Sequence, residues 1–236
     1  MMMTLHSEGH ALAISATGVG HDYGRRPALR DVDLSVAAGE MVAVTGPSGS
    51  GKSTLLHALS GVLRPGEGEI RLGDHVVTSM SEDARSRLRR TDVGVLFQFG
   101  QLIDELTLAE NVALPLLLER RKRDDALATA KAWLARVDVA DLADELPGEV
   151  SGGQAQRAAL ARALVTNPGV LFADEPTGAL DSRAGESAME LISDIAAEEG
   201  LTVVLVTHDV RIAAYADREV VLRDGRVDAD ESVGAR

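Results

Sequence analysis

The segment Gly46-Pro-Ser-Gly-Ser-Gly-Lys-Ser53 restricts the fold more than any other part of the chain. It has the spacing G-x-x-x-x-G-K-[ST], and it lies between an apolar run, Met41-Val-Ala-Val-Thr45, and a helical pattern from Lys52 to Leu63. Such a loop needs a buried strand to deliver it and a helix to receive it. Its glycines let backbone N–H groups turn inward around phosphate oxygens, and the following helix offers its positive end to the same charge. Lys52 supplies a point charge for the outer phosphates, and Ser53 a hydroxyl for Mg²⁺. The implied ligand is ATP or GTP. Gly46, Ser48, Gly49, Ser50, Gly51, Lys52, Ser53 and Thr54 are the candidate nucleotide contacts.

Two further apolar runs, Gly169-Val-Leu-Phe-Ala173 and Thr202-Val-Val-Leu-Val-Thr207, read as fully buried parallel strands. Ala184 to Glu199 carries Ala188, Leu191, Ile192 and Ile195 on one helical face. The alternation predicts an α/β fold with a mainly parallel core sheet wrapped by helices. Leu12 to Val36, Gly68 to Leu72 and Val76-Val77, punctuated by Gly24, Gly39 and Gly73, predict a small antiparallel β subdomain beside it. From about Gly100 to Val165 the pattern is almost purely helical, which predicts an inserted helical subdomain. The 236 residues suit one domain over 11–228, with its core in 11–99 and 166–228 and the helical insertion at about 100–165. Residues 1–10 and 229–236 lack periodicity and read as loose tails.

Asp174-Glu175 follows the run Val170-Leu-Phe-Ala173, so two carboxylates fall at the C-terminal edge of a central strand, where α/β sheets bind ligands. Asp174 can hold Mg²⁺ through water, and Glu175 can orient or deprotonate an attacking water.

Several classes are disfavoured. The longest apolar stretch, Val112 to Leu118, is interrupted by Pro115 and closed by Glu119-Arg-Arg-Lys-Arg123, far short of the ~20 apolar residues of a membrane helix. The first ten residues do not read as a secretory signal. A formal charge of -13 opposes binding to a phosphate backbone, so no nucleic-acid partner is expected. Cysteine is absent, which removes disulfides and thiolate metal sites.

A phosphate loop alone marks only a large superfamily; Val150-Ser-Gly-Gly-Gln-Ala-Gln-Arg157 narrows it. Ser-Gly-Gly ahead of an alanine-rich helical run makes a helix start with exposed N–H groups and a hydroxyl, a second anion site. The stretch resembles the signature of ABC-type ATPases, with Val150 in place of the usual leucine and Ala155 where relatives often carry a polar residue. The resemblance extends from Tyr23 to about Gly225. It implies a P-loop NTPase of ABC type that hydrolyses ATP with Mg²⁺ and dimerises head to tail. Ser151, Gly152, Gly153 and Gln154 of one copy then close over ATP held by the other. It assigns Tyr23 to adenine stacking, Gln98 to sensing Mg²⁺ and the attacking water, Asp181 to the loop crossing the dimer interface, and His208 to the γ-phosphate. Catalytic candidates are therefore Glu175, His208 and Gln98, and metal candidates Ser53, Gln98 and Asp174.

Phe97 to Leu102, Leu106 to Leu117 and Ala173 to Ser182 resemble one branch, that of macrolide exporters, lipoprotein-release systems, cell-division ATPases and bacitracin-resistance transporters. The resemblance implies a separate membrane permease as partner, peripheral attachment at the cytoplasmic face of the membrane, and a groove near Gln98 to Leu118 that accepts a permease helix. Leu102, Ile103, Leu106 and Leu108 either line that groove or belong to the core of the helical region. Alternatives from the sequence are an ATP-dependent regulator of a membrane partner without transport, and a soluble ABC ATPase acting on DNA or ribosomes. The last fits poorly with a single half, no sustained heptads and the acidic charge.

Overall fold

The computed structural model describes residues 11–98, 101–178 and 180–232. In chain order, β1 (Ile14–Tyr23) and β2 (Arg26–Val36) form a hairpin, and β3 (Met41–Thr45) delivers the phosphate loop to α1 (Lys52–Leu59). Next come β4 (Glu67–Leu72), β5 (His75–Val76), α2 (Glu82–Thr91) and β6 (Val93–Leu96). The helical segment contains α3 (Leu108–Leu118), α4 (Arg123–Arg136) and α5 (Gly152–Leu164). The chain returns through β7 (Val170–Asp174), α6 (Ser182–Glu199), β8 (Thr202–Val206), α7 (Val210–Ala213), β9 (Arg218–Arg223) and β10 (Arg226–Ser232).

The first sheet is antiparallel in the order β2-β1-β4-β5; the second runs β10-β9-β3-β8-β7-β6. In the second sheet every neighbouring pair from β9 to β6 is parallel, and β10 is an antiparallel edge. The order sets β3, β8 and β7 side by side, so their C-terminal ends bring together the phosphate loop, His208 and Asp174-Glu175.

Successive side chains of a strand face opposite ways, and each face has its own core. Met41, Ala43, Leu171, Ala173, Val203 and Leu205 pack with α3 to α6. Val42, Val44, Phe172, Val204 and Val206 pack with Leu55, Leu56 and Leu59 of α1 and with the antiparallel sheet. Among the described residues the helical insertion therefore has no separate core: Leu108, Val112, Trp133, Leu134 and Leu160 join the first of these clusters.

The structure corrects several expectations. Residues 229–232 are not a loose tail; Ala229, Asp230, Glu231 and Ser232 pair with Val221 to Arg218 of β9. The remaining expected tails, 1–10 and 233–236, lie outside the described residues. The helix after the phosphate loop stops at Leu59 because Ser60 caps it and Gly61 takes a left-handed φ of 70°. Beyond β8 lies a further buried strand, β9, whose Val220 and Leu222 are fully enclosed.

Candidate active site

The phosphate loop is built by glycine geometry. A β-carbon on Gly46, at φ 135°, would collide with the Leu222 carbonyl, and one on Gly51, at φ 105°, with the Ala28 carbonyl. The loop thus sits tight against β9 and β2. Lys52 is buried, and its Nζ donates to the carbonyls of Gly46 and Pro47, each at 2.9 Å, which holds the ammonium beneath the loop.

A cavity of about 660 Å³ opens above the loop. Of the candidate residues it is lined by Tyr23, Ser48, Gly49, Gly51, Lys52, Ser53, Thr54, Gln98, Asp174 and Glu175. Gly46 and Ser50 are not in the lining: Gly46 lies behind the loop, and Ser50 is buried, its carbonyl accepting from Gly225 N–H at 2.9 Å. Both shape the loop from behind. Tyr23 stands 55% exposed at the rim, with the His21 ring nearly perpendicular to its own and the two centroids 4.7 Å apart.

At the other end of the cavity Ser53 Oγ donates to Asp174 Oδ1 at 3.2 Å. Burial pushes the Asp174 carboxyl above its ordinary range, and the Glu175 charge adds to this; the Ser53 hydroxyl, His57 and Lys52 pull the other way. Glu175 adopts a left-handed φ of 49°, a conformation costing about 1 kcal/mol or more in a non-glycine residue. Its N–H donates to the Val206 carbonyl at 2.9 Å, and its two oxygens lie 2.8 and 2.9 Å from His208 Nδ1. With the carboxylate ionised, the imidazole donates through Nδ1, and its exposed remainder, 72% of the side chain, faces outward.

Ser151, Gly152, Gly153, Gln154 and Asp181 are not brought to this cavity. Ser151 caps α5 in a reciprocal box, accepting from Gln154 N–H at 3.4 Å while Gln154 Oε1 accepts from Ser151 N–H at 2.8 Å. Asp181 caps α6 by accepting from Ala184 N–H at 2.9 Å. Ala179, beside it, lies outside the described residues.

Residues 29–178 match the family model of the ABC transporters. The chain belongs to that family. The lipoprotein-releasing system ATP-binding protein LolD of Bordetella pertussis is 44% identical over 222 residues, 92% of this chain and 96% of that protein. The macrolide export ATP-binding/permease protein MacB 1/2 of Paracoccus denitrificans is 42% identical over 97% of this chain and 35% of its own greater length. A dimeric post-hydrolysis state of the cassette MJ0796 of Methanocaldococcus jannaschii, bound to ADP and phosphate, superposes with a TM-score of 0.87 at 37% identity, covering 94% of this chain and all of that one. Like the family it belongs to, this ABC chain binds and hydrolyses ATP.

Some features of this ABC cassette were not anticipated. Arg26, Pro27 and Ala28 also line the cavity, because the hairpin pairs Arg26 with Tyr23. Gln156, two residues past the signature, is buried and donates to the Pro176 carbonyl at 2.9 Å. Of the four apolar residues expected near the groove, Leu108 is fully buried, Leu102 packs against the core, and Ile103 is 40% exposed. A separate cavity of about 260 Å³ beside Phe97 is lined by Val62, Arg89, Arg90, Pro115 and Arg162 among others. Among the described residues no helix is long and apolar enough to cross a membrane.

Proposed function

We propose that this ABC ATPase is the ATP-hydrolysing subunit of a complex with a separate membrane permease, and that two copies act head to tail. The observation that carries the reading is the division of the phosphate-binding groups. Lys52, Ser53, Asp174, Glu175 and Gln98 meet in one cavity with Tyr23, whereas the exposed start of α5 at Ser151 and Gly152 lies off it. An anion held in the first copy's cavity can then be covered by the second copy's helix start. The dimeric MJ0796 structure bound to ADP and phosphate supports the two-copy part of this reading.

In this reading Tyr23 stacks on adenine, the phosphate loop from Gly46 to Thr54 wraps the phosphates, and Lys52 exchanges its two loop carbonyls for phosphate oxygens. Mg²⁺ fits the donor set, because Ser53 Oγ, Asp174 and the Gln98 amide offer oxygen ligands, the first two 3.2 Å apart. When bound, the ion neutralises charge on the phosphate oxygens. Gln98 and His208 orient the attacking water, and Glu175 takes its proton as the water oxygen bonds to the γ-phosphorus and the bridging P–O bond to ADP breaks. Closure of the dimer is the stroke. The permease holds the protein peripherally at the cytoplasmic face of the membrane, in the mechanotransmitting manner of the lipoprotein-release and macrolide-export branch.

The test uses a tagged Glu175→Gln variant, extracted from native membranes in mild detergent with ATP and Mg²⁺. Turnover should fall about 100-fold or more while ATP binding persists. Mass spectrometry of the copurified material should then find a permease in stoichiometric amount. Normal turnover would remove Glu175 from its role, and soluble partners alone would remove the membrane assignment.

A further inference from the structure

In the head-to-tail reading, on which this inference rests, the signature serine and the catalytic glutamate of one chain serve different ATP molecules. Ser151 covers the partner's nucleotide; Glu175 works on the chain's own. Within one chain a buried side chain links the two. Gln156, in the second turn of α5, is 6% exposed, and its Nε2 donates to the Pro176 carbonyl at 2.9 Å. Pro176 is the residue after Glu175 and is itself buried.

The segment that Gln156 grips has little freedom. Gly178 N–H donates to the Glu175 carbonyl and Leu180 N–H to the Thr177 carbonyl, each at 3.0 Å, so 175–178 forms a tight turn and Leu180 is tied back to Thr177. On one side Gln98 presses on it: a β-carbon on Gly178 would come within 2.9 Å of Gln98 Nε2. On the other side stands the start of α5, where a β-carbon on Gly153 would lie 4.0 Å from Leu180 Cδ2. Glu175 already holds φ 49°, so a displacement of the Pro176 peptide acts directly on a strained residue whose carboxylate must be aimed.

We propose that Gln156 is a positioning residue that couples the two ATP sites. Seating of the signature helix on the partner's ATP moves α5, Gln156 carries that movement to the Pro176 carbonyl, and Glu175 is set for attack on the chain's own ATP. The coupling element is a bistable loop biased from both sites, and it confers cooperativity without touching either nucleotide.

The experiment compares full-length wild type, Gln156→Met, which keeps length but removes the donor, and Gln156→Asn, which keeps the amide one methylene short. Wild type should hydrolyse ATP with a Hill coefficient of about two, the number of sites. The methionine variant should bind ATP within about twofold of wild type, lose about tenfold in kcat, and show a Hill coefficient near one; the asparagine variant should fall between. If the methionine variant does not fold, the asparagine variant is judged by the same criterion. A wild-type Hill coefficient of one, or a folded variant with unchanged Hill coefficient, overturns the proposal, including the case where affinity and kcat fall together as for simple destabilisation. Sedimentation of Glu175→Gln with Gln156 intact separates the two readings. Failure to dimerise on ATP removes the two-copy arrangement and the coupling with it. Dimerisation alongside an unchanged Hill coefficient in the Gln156 variants removes the coupling alone.

Discussion

Asp174 and Glu175 are neighbours on one chain, yet the fold treats them differently. Asp174 ends β7 with its carboxyl partly sunk beside Ser53, whereas Glu175 is turned out by its left-handed backbone toward His208. Burial, assisted by the Glu175 charge, raises the Asp174 pKa above its unfolded value, so the fold without nucleotide disfavours the ionised form. A raised folded-state pKa contributes stability that is present below the unfolded carboxylate range and is lost as pH rises through the folded pKa. Near neutral pH the charged Asp174 is therefore a cost, which the proposed role of this carboxylate toward a nucleotide-bound ion would explain. Asp174→Asn should melt higher than wild type at pH 7.5 without nucleotide, by up to about 2 °C given partial screening by solvent. The gap should close as pH is lowered toward about 4. Thermal melts across pH check this, and a variant that melts lower at pH 7.5 would mean that the Ser53 contact outweighs desolvation.

At the scale of elements, the start of α3 explains a phrase that the sequence offers only as a resemblance. In Glu110-Asn-Val-Ala-Leu-Pro115, Glu110 completes a capping box with Thr107, each bond being 3.2 Å. Asn111 is fully buried and accepts from Ile103 N–H at 2.7 Å while donating to the carbonyls of Ile103, Leu106 and Thr107 at 2.9 to 3.1 Å. One amide thus fixes the segment entering the helical region. Asn111→Ala leaves these groups buried without partners and should cost about 3 kcal/mol, read as a lower urea midpoint at unchanged slope. A loss under about 1 kcal/mol would mean that water replaces the amide. None of this is legible beforehand, because the partners of Asn111 depend on how the preceding loop bends. What could be read was governed by local periodicity: β3, β7 and β8 lie within a residue of expectation because each is built on an unbroken run of four apolar residues. By contrast α2 was missed because it is nearly all polar, with Leu88 and Arg85 as its buried residues, and β10 because it owes its form to pairing with β9.

For the whole molecule, the sequence offers two candidate phosphate-binding segments, one at Gly46–Ser53 and one at Ser151–Gln154. Their separation within a single chain became clear only from the sheet order, which gathers β3, β7 and β8 at one edge and leaves the start of α5 elsewhere. Joining them across two copies meets an obstacle set by composition. Each copy carries a formal charge of -13, and each ATP adds more, so closure brings like charges together over the whole surface. In the proposed head-to-tail arrangement the closing attractions, Lys52 and the α5 helix start on phosphate, would act at short range in sites that closure dries, and salt weakens such contacts less. Long-range repulsion is screened within a Debye length of about 10 Å at 0.1 M salt. Nucleotide-driven dimerisation should therefore tighten with salt, by about three- to tenfold in dissociation constant between about 0.03 and 0.3 M NaCl. Sedimentation equilibrium of Glu175→Gln at saturating ATP measures it. The opposite slope would require the closing faces to be charge-complementary despite the net charge, as at interfaces steered by opposite patches. That outcome would move the search for closure determinants from the phosphate contacts to ion pairs between Arg and the acidic residues that dominate this chain.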